Sequence, residues 1–444
     1  MPEATFHFPR GFLWGTATAS HQVEGNNTNN NWWDWEQQPG RIQQGHTSAL
    51  ACDWWGGRWQ EDFDRAAEGG QNTHRFSVEW SRIQPTPETW DESALEQYRQ
   101  MLRGLRDRNM LPLVSLHHFS DPLWLTQQGG WENQEVVAKF EKFVRKTVEA
   151  LKEYVSLWCT INEPNVYVLG GYITGDFPPG QKNIKLGMQV MANLLRGHAA
   201  AYHAIHEIQP EARVGYALHY RPVEPAKAWF PLDRLAAGLH YKGINMAFPS
   251  ALSNGVMQTV LGNVRIPEAK GTQDYLGLNY YNTLTVKFDL FNPGQLFGRA
   301  FYPAGTDLSD SGFNANTPDG LFVSLKWAVR TYPGLPIIIT ENGIECADDH
   351  IRPRYIAEHV LKIWRAVNFN WPVKGYFHWS LVDNFEWERG WTQRFGLWEL
   401  NPETQVRTKR PSADLYAEIC KENGLSSQMV RKYCPEVFEK LFPG

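Results

Sequence analysis

Short apolar runs bounded by turn residues recur eight times along the 444-residue chain: Phe12 to Ala17, Thr73 to Val78, Leu113 to His117, Leu157 to Ile161, Arg213 to Leu218, Tyr275 to Asn279, Pro336 to Thr340, and Lys374 to Trp379. Runs of this length and flanking composition read as buried strands. Between them the apolar positions change to helical period, as in Leu95, Tyr98, Leu102 and Leu105, and again in Val136, Val137, Phe140, Val144, Val148 and Leu151. Eight strand-and-helix alternations predict a closed parallel (β/α)8 barrel, one domain over residues 1–444, in preference to an open doubly wound sheet. No GxGxxG or GxxxxGKS turn follows any run, so nucleotide-binding readings lose their usual support. Two stretches interrupt the alternation: the Asn-rich segment Asn26 to Asn31 reads as a loop, and the region from about Phe288 to Pro318 as a long irregular excursion.

Barrel chemistry collects where the strands end, and these ends are polar. The second run carries Arg75, the third ends in His117-His118, the fourth leads into Asn162-Glu163, the sixth into Asn279-Tyr280-Tyr281, the seventh into Glu341-Asn342, and the eighth ends at Trp379. Two glutamates just past apolar strands are the minimal equipment for glycoside hydrolysis, in which one is a protonated acid near neutral pH and the other an ionised carboxylate. Taken singly, Thr160-Ile161-Asn162-Glu163-Pro164 and Ile339-Thr340-Glu341-Asn342-Gly343 equally read as strand-to-loop turns with a solvated charge. Arg75 alone also fits a buried strand-end ion pair, and a lone histidine at a strand end fits a hydrogen-bonded structural role.

Charge narrows the partners: 43 Lys and Arg against 48 Asp and Glu give a net charge of −5, which offers no basic field to nucleic acid or anionic lipid. No window is long and apolar enough to span a bilayer, so no membrane partner is expected. Met1, Pro2 and Glu3 run straight into Phe6 without the pattern of a secretory signal. Cys52, Cys159, Cys346, Cys420 and Cys434 are odd in number and lack CxxC spacing, so neither a metal nor a cofactor is expected, and a reducing cytoplasm is the expected compartment. Most of the 20 tryptophans read as packing.

The motifs together are similar to those of glycoside hydrolase family 1, over almost the whole chain. Phe8 to Gly25 resembles the family's N-terminal signature, Thr160 to Pro164 its acid/base motif, Ile339 to Gly343 its nucleophile motif, and His378 to Trp387 with Arg394 to Leu397 its last-strand signature. The resemblance implies a retaining β-glycosidase acting on a small-molecule β-glycoside: terminal β-D-glucosyl residues, and β-galactosyl or β-fucosyl ones besides. Glu163 would be the acid/base and Glu341 the nucleophile. Arg75 and Tyr281 would keep Glu341 ionised, and that charge would in turn raise the pKa of Glu163. Asn162 would hold the sugar 2-hydroxyl, Gln22, His118 and Glu386 the 3-, 4- and 6-hydroxyls, with Trp379 beneath the ring and Trp387 on its rim. His117 is left structural, Asn279 is a support for the site, and His219 and Tyr220 receive no role.

Departures from the family pattern fall on the leaving-group side: Phe119 stands where a Trp often follows the sugar-binding His, and Gly312-Phe313 where a Gly-Trp pair often supplies a platform. Two alternatives follow from the same resemblance. A 6-phospho-β-glycosidase would typically lack the glutamate at Glu386 and use Ser and Lys there. A non-catalytic sugar-binding barrel would usually have lost one of the two glutamates.

Overall fold

In the computed structural model, which describes residues 3–443, eight parallel strands close into a barrel. They are β1 (Leu13–Ala17), β2 (Thr73–Ser77), β3 (Leu111–His117), β4 (Leu157–Asn162), β5 (Arg213–His219), β6 (Tyr275–Asn279), β7 (Ile337–Asn342) and β8 (Val373–His378). Neighbours in sequence are neighbours in space, and β8 closes on β1 through the register Gly375 to Leu13 and His378 to Thr16. Every strand begins and ends within two residues of its expected run. Met1, Pro2 and Gly444, which the expected 1–444 span includes, lie outside the described residues.

The strands are apolar on both faces because both are covered: side chains fill the barrel inside and helices pack outside. Helices follow the strands in order: α1 (Trp59–Glu68), α2 (Glu92–Asp107), α3 (Val136–Leu151), α4 (Ile184–Ile208), α5 (Pro231–Asn245), α6 (Pro318–Thr331), α7 (Arg352–Asn368) and α8 (Pro411–Glu422). The helical stripes bury as their period requires: Leu95, Tyr98, Leu102 and Leu105 on α2, and Val136, Phe140, Val144, Val148 and Leu151 on α3, with Val137 half-buried beside them. Asp91 starts α2 by accepting the amides of Ser93 and Ala94. Proline stands in the first turn of α5 to α8, where its missing N–H costs nothing.

The region 288–318 is not irregular throughout. Gly298–Phe301 pairs antiparallel with Leu284–Phe288, which also runs parallel to Val223–Pro225. These strands are too short and half-exposed to show alternation in sequence. Within Asn26 to Asn31, Asn30 Oδ1 accepts from Trp33 N at 2.8 Å and caps the short helix Asn31–Glu36. Among the described residues no helix is long and apolar enough to cross a membrane.

Register breaks position the strand ends. The β4/β5 ladder shifts between Cys159 and Asn162, β6/β7 between Leu278 and Asn279, and β7/β8 between Ile339 and Asn342. A bulge re-aims the side chains that follow it, and these three sites carry Asn162, Asn279 and Glu341.

Candidate active site

Glu163 leaves β4 with φ 43° and ψ 57°, the left-handed region that non-glycine residues enter at a cost of order 1–3 kcal/mol. Pro164 then opens the short helix Pro164–Val168, so the chain turns sharply and Glu163 points over the barrel mouth. Glu341 sits within β7 before Asn342, whose buried amide donates to Tyr280 O and Tyr355 OH, both at 2.7 Å, and accepts from Tyr376 OH at 3.0 Å. At Gly343 a Cβ would lie 2.0 Å from the Trp379 carbonyl oxygen, so only glycine lets the end of β8 approach here. The loop after β8 is pinned by Asp383, which accepts both terminal nitrogens of Arg410 at 2.9 Å and the amide of Gly396 at 2.8 Å. That loop delivers Glu386 and Trp387.

The two glutamates have unequal surroundings. Arg75, fully buried, donates from Nη1 to Glu341 Oε1 at 2.7 Å and from Nη2 to Asn162 Oδ1 at 2.6 Å. Tyr281 OH donates to Glu341 Oε2 at 2.7 Å, so both oxygens of that carboxyl receive donors. Around Glu163 both contacts fall on Oε1: Asn279 Nδ2 at 2.9 Å and His219 Nδ1 at 3.0 Å. Asn279 is itself oriented by Thr340, whose hydroxyl donates to Asn279 Oδ1 at 2.6 Å.

The pair differs electrostatically from the sequence expectation. Burial lifts Glu341 to about 7 against the pull of Arg75, and the neighbouring Glu163 adds to the rise. Burial also raises Glu163, but His219 and Asn279 pull it back below the ordinary carboxylate range. The expected order, an ionised Glu341 raising Glu163, is thus reversed, by burial at Glu341 and by His219 and Asn279 at Glu163. The two carboxyls titrate as a pair that holds one proton to near neutrality.

Around them the other expected residues converge. Asn162 Nδ2 and His118 Nε2 are 2.9 Å apart. Burial, with Arg75 and His117 nearby, keeps His118 neutral. The His118 ring lies nearly parallel to Trp379 and to Trp387, with centroids 6.1 and 5.9 Å away. Gln22 donates through Nε2 to Phe385 O at 2.8 Å and Glu386 Oε2 at 3.3 Å. Gln22 Oε1 and His118 Nδ1 are buried without a hydrogen-bond partner among the described residues. Buried polar atoms of this kind ordinarily find a hydrogen-bond partner, and the side chains of these two stand beside Glu386 and Asn162. Burial raises Glu386 to about 8, with Glu388 and Glu341 adding to the shift. His117, by contrast, faces inward to Asp121 Oδ1 at 3.1 Å.

These residues open on a cavity of about 320 Å³. Its lining includes Glu163, Glu341, His118, Trp379 and Glu386, an apolar group of Val168, Leu169, Ile173, Phe177, Met188 and Ile244, and the polar Asp176, Arg221 and Arg389. Phe119 and Phe313 both line it, and Arg389 lies over the Phe313 ring at 4.5 Å.

Sequence reasoning missed two contacts. Asn279 touches Glu163 directly, where only general support was expected, and His219 was passed over. The visible signal was polarity at the end of β5, since His219 directly follows a run as apolar as the others.

A parallel (β/α)8 barrel with two buried carboxyls facing a cavity of polar and aromatic side chains defines the class: a barrel glycosidase. Residues 4–425 match Glycosyl hydrolase family 1, and the chain belongs to that family. A 1,4-beta-D-glucan glucohydrolase of Thermotoga neapolitana is 31% identical, the match covering 94% of this chain and 99% of the relative. Beta-glucosidase A of Thermotoga maritima is likewise 31% identical, over 94% and 98%. Among solved structures, the beta-glycosidase from Pyrococcus horikoshii superposes with a TM-score of 0.90 at 36% identity, covering 97% of this chain and 98% of its own.

Proposed function

We propose that this glycosidase removes terminal β-D-glucosyl residues, and β-galactosyl or β-fucosyl ones besides, with retention of configuration. Glu341 is the nucleophile and Glu163 the acid/base. The observation that carries the assignment is the unequal pattern of donors: two on separate oxygens of Glu341, two on one oxygen of Glu163. A carboxyl with a donor on each oxygen is suited to carry the negative charge that attacks the anomeric carbon. One with a clear Oε2 has a place for the reacting proton.

Charge developing on the sugar ring beside Glu341 favours the carboxylate there and sends the pair's proton to Glu163. Glu341 then attacks the anomeric carbon while Glu163 gives its proton to the leaving oxygen. In the second half, Glu163 takes a proton from water, which displaces Glu341. Asn162, held by Arg75, meets the 2-hydroxyl; Gln22, His118 and Glu386 meet the 3-, 4- and 6-hydroxyls; Trp379 supports the apolar ring face and Trp387 the rim. A solved T. maritima beta-glucosidase is in complex with glucoimidazole, a relative consistent with a glucose-shaped pocket. Glu386 and Glu388 would oppose a 6-phosphate, and the neighbouring Arg389 is paired with Glu388. A non-catalytic barrel would not need both glutamates. The chain acts as one domain, and its five buried free cysteines suit a reducing compartment such as the cytoplasm.

The test is release of 4-nitrophenol from its β-D-glucoside, followed by proton NMR of the first product. Appearance of α-glucose first would overturn retention, and absence of turnover would overturn the whole reading.

A further inference from the structure

His219 ends β5 outside every motif that marks the family, yet it is fixed on three sides. Its Nδ1 is 3.0 Å from Glu163 Oε1. Its ring stacks on Tyr281 with centroids 5.8 Å apart and planes 17° from parallel, and the Tyr281 hydroxyl serves Glu341. Its main-chain carbonyl accepts Asn165 Nδ2 at 2.8 Å, from the helical turn that Glu163 begins. His219 lines the same cavity as Glu163 and Glu341.

We infer that His219 is a positioning residue for the acid/base: by donating Nδ1–H to Glu163 Oε1, it confines the reacting proton to Oε2 and stabilises the Glu163 carboxylate that must later deprotonate water. The inference rests on the reading of Glu163 as acid/base.

A carboxyl proton on Oε1 would meet two donors, His219 and Asn279, and no acceptor, so the O–H bond belongs to Oε2. In glycosylation that O–H bond breaks, its proton goes to the leaving oxygen, and the oxygen keeps the electron pair of the glycosidic bond as Glu341 bonds the anomeric carbon. The charge left on Glu163 is met by the His219 and Asn279 N–H groups. In deglycosylation the water proton returns to Oε2 as the water oxygen takes the anomeric carbon from Glu341. His219 begins and ends the cycle with the same protons.

Other charges face Glu163 from around the barrel. Arg75 from β2 and Arg221 beyond β5 favour its anion; Glu341 from β7 and Glu386 beyond β8 oppose it; Tyr281, beyond β6, is a neutral phenol beside it. Among the described residues, only His219 and Asn279 make hydrogen bonds to Glu163 through their side chains. Removing the His219 donor must therefore disfavour the carboxylate and raise the pH at which the acid is lost.

The experiment compares wild type, His219→Phe and His219→Asn in the full chain, on 4-nitrophenyl and 2,4-dinitrophenyl β-glucosides from pH 4 to 9. In His219→Phe the alkaline limb of kcat/KM should move up by about one pH unit. With the dinitrophenyl substrate, whose good leaving group makes deglycosylation limiting, kcat should fall about tenfold more than kcat/KM. His219→Asn keeps a donor and should keep the wild-type limb. Should the Phe variant fail to fold, His219→Leu removes the donor with less bulk and should show the same shift. An unmoved limb in the donorless variant, or equal shifts in both variants, overturns the inference. An inactive wild type would instead overturn the glycosidase reading itself.

Discussion

Asn162 is tied to Glu341 through a single guanidinium. Arg75 donates to Asn162 Oδ1 at 2.6 Å and to Glu341 Oε1 at 2.7 Å, so the two side chains cannot move independently. Asn279 Nδ2 adds a second contact to Asn162 Oδ1 at 3.1 Å, which fixes the amide with its nitrogen toward His118. The contact proposed for the sugar 2-hydroxyl and the proposed nucleophile are thus one rigid unit built from β2, β4 and β7.

Loss of that guanidinium should damage both rate and stability. Arg75→Met should lower kcat/KM by at least about 10³-fold, because it misplaces a ligand and strands a buried carboxylate. It should also destabilise the fold by about 3–5 kcal/mol. Urea unfolding of Arg75→Met/Glu341→Gln provides the control: with no charge left to strand, the double variant should recover part of the loss. A double variant no more stable than the single one would show that Arg75 supports the fold by packing and not by pairing.

The proposed division of labour between the glutamates predicts different rescue products. Glu341→Gly should abolish turnover, and azide should then give the α-glycosyl azide from activated β-glycosides. Glu163→Ala should keep activity on substrates with good leaving groups, where no proton is needed, and azide should yield the β-azide. Opposite anomers from the two variants would mean that the roles are exchanged.

The legible parts of this protein are those where one physical requirement dominates. A buried strand must be apolar and a barrel helix must carry a stripe, so β1 to β8 and α3 could be bounded closely from periodicity. The strand-end motifs were legible because several chemical groups must stand in fixed order. What stayed hidden depends on partners distant in sequence. Gly298–Phe301 is a strand only because Leu284–Phe288 lies beside it. His219 matters only because the left-handed turn at Glu163 brings a carboxyl from β4 to the end of β5. The raised Glu341 belongs in the same group, since burial is a property of the folded barrel and not of the Thr-Glu-Asn triplet.

The far end of the pocket predicts substrate choice. Glu386 is held by Gln22 and lies near Glu388, so a neutral hydroxylated sugar fits and a phosphorylated one meets two carboxyls. Glu386→Ala should cost roughly 10²-fold or more in kcat/KM on glucosides. Wild type should be far slower on 4-nitrophenyl 6-phospho-β-glucoside than on the plain glucoside. A preference for the phosphorylated substrate would overturn this assignment.

The buried carboxyls also predict how stability changes with pH. Burial raises Glu386 to about 8 and both Glu341 and Glu24 to about 7, each well above the range of about 4.3 expected in the unfolded chain. Between those values the folded state holds protons that the unfolded state has released, so stability falls as pH rises, by up to about 1.4 kcal/mol per pH unit for each group. Below about pH 4 both states are protonated, and above about pH 8 both are charged, so the slope from these groups vanishes at either end. Glu24 is partly offset by Arg82, which is 2.7 Å away, whereas among the described residues the Glu386 carboxyl has only the Gln22 amide. Glu386 should therefore dominate the upper part of the fall. Glu386→Gln removes that titration while keeping the shape of the side chain. Urea unfolding at intervals from pH 5 to pH 9 should show the variant gaining on wild type by about 1–4 kcal/mol across the range, with most of the gain between pH 6 and pH 8. Curves that stay parallel from pH 5 to pH 9 would mean that Glu386 is already ionised in the folded protein, and that its pairing with Gln22 is stronger than its burial.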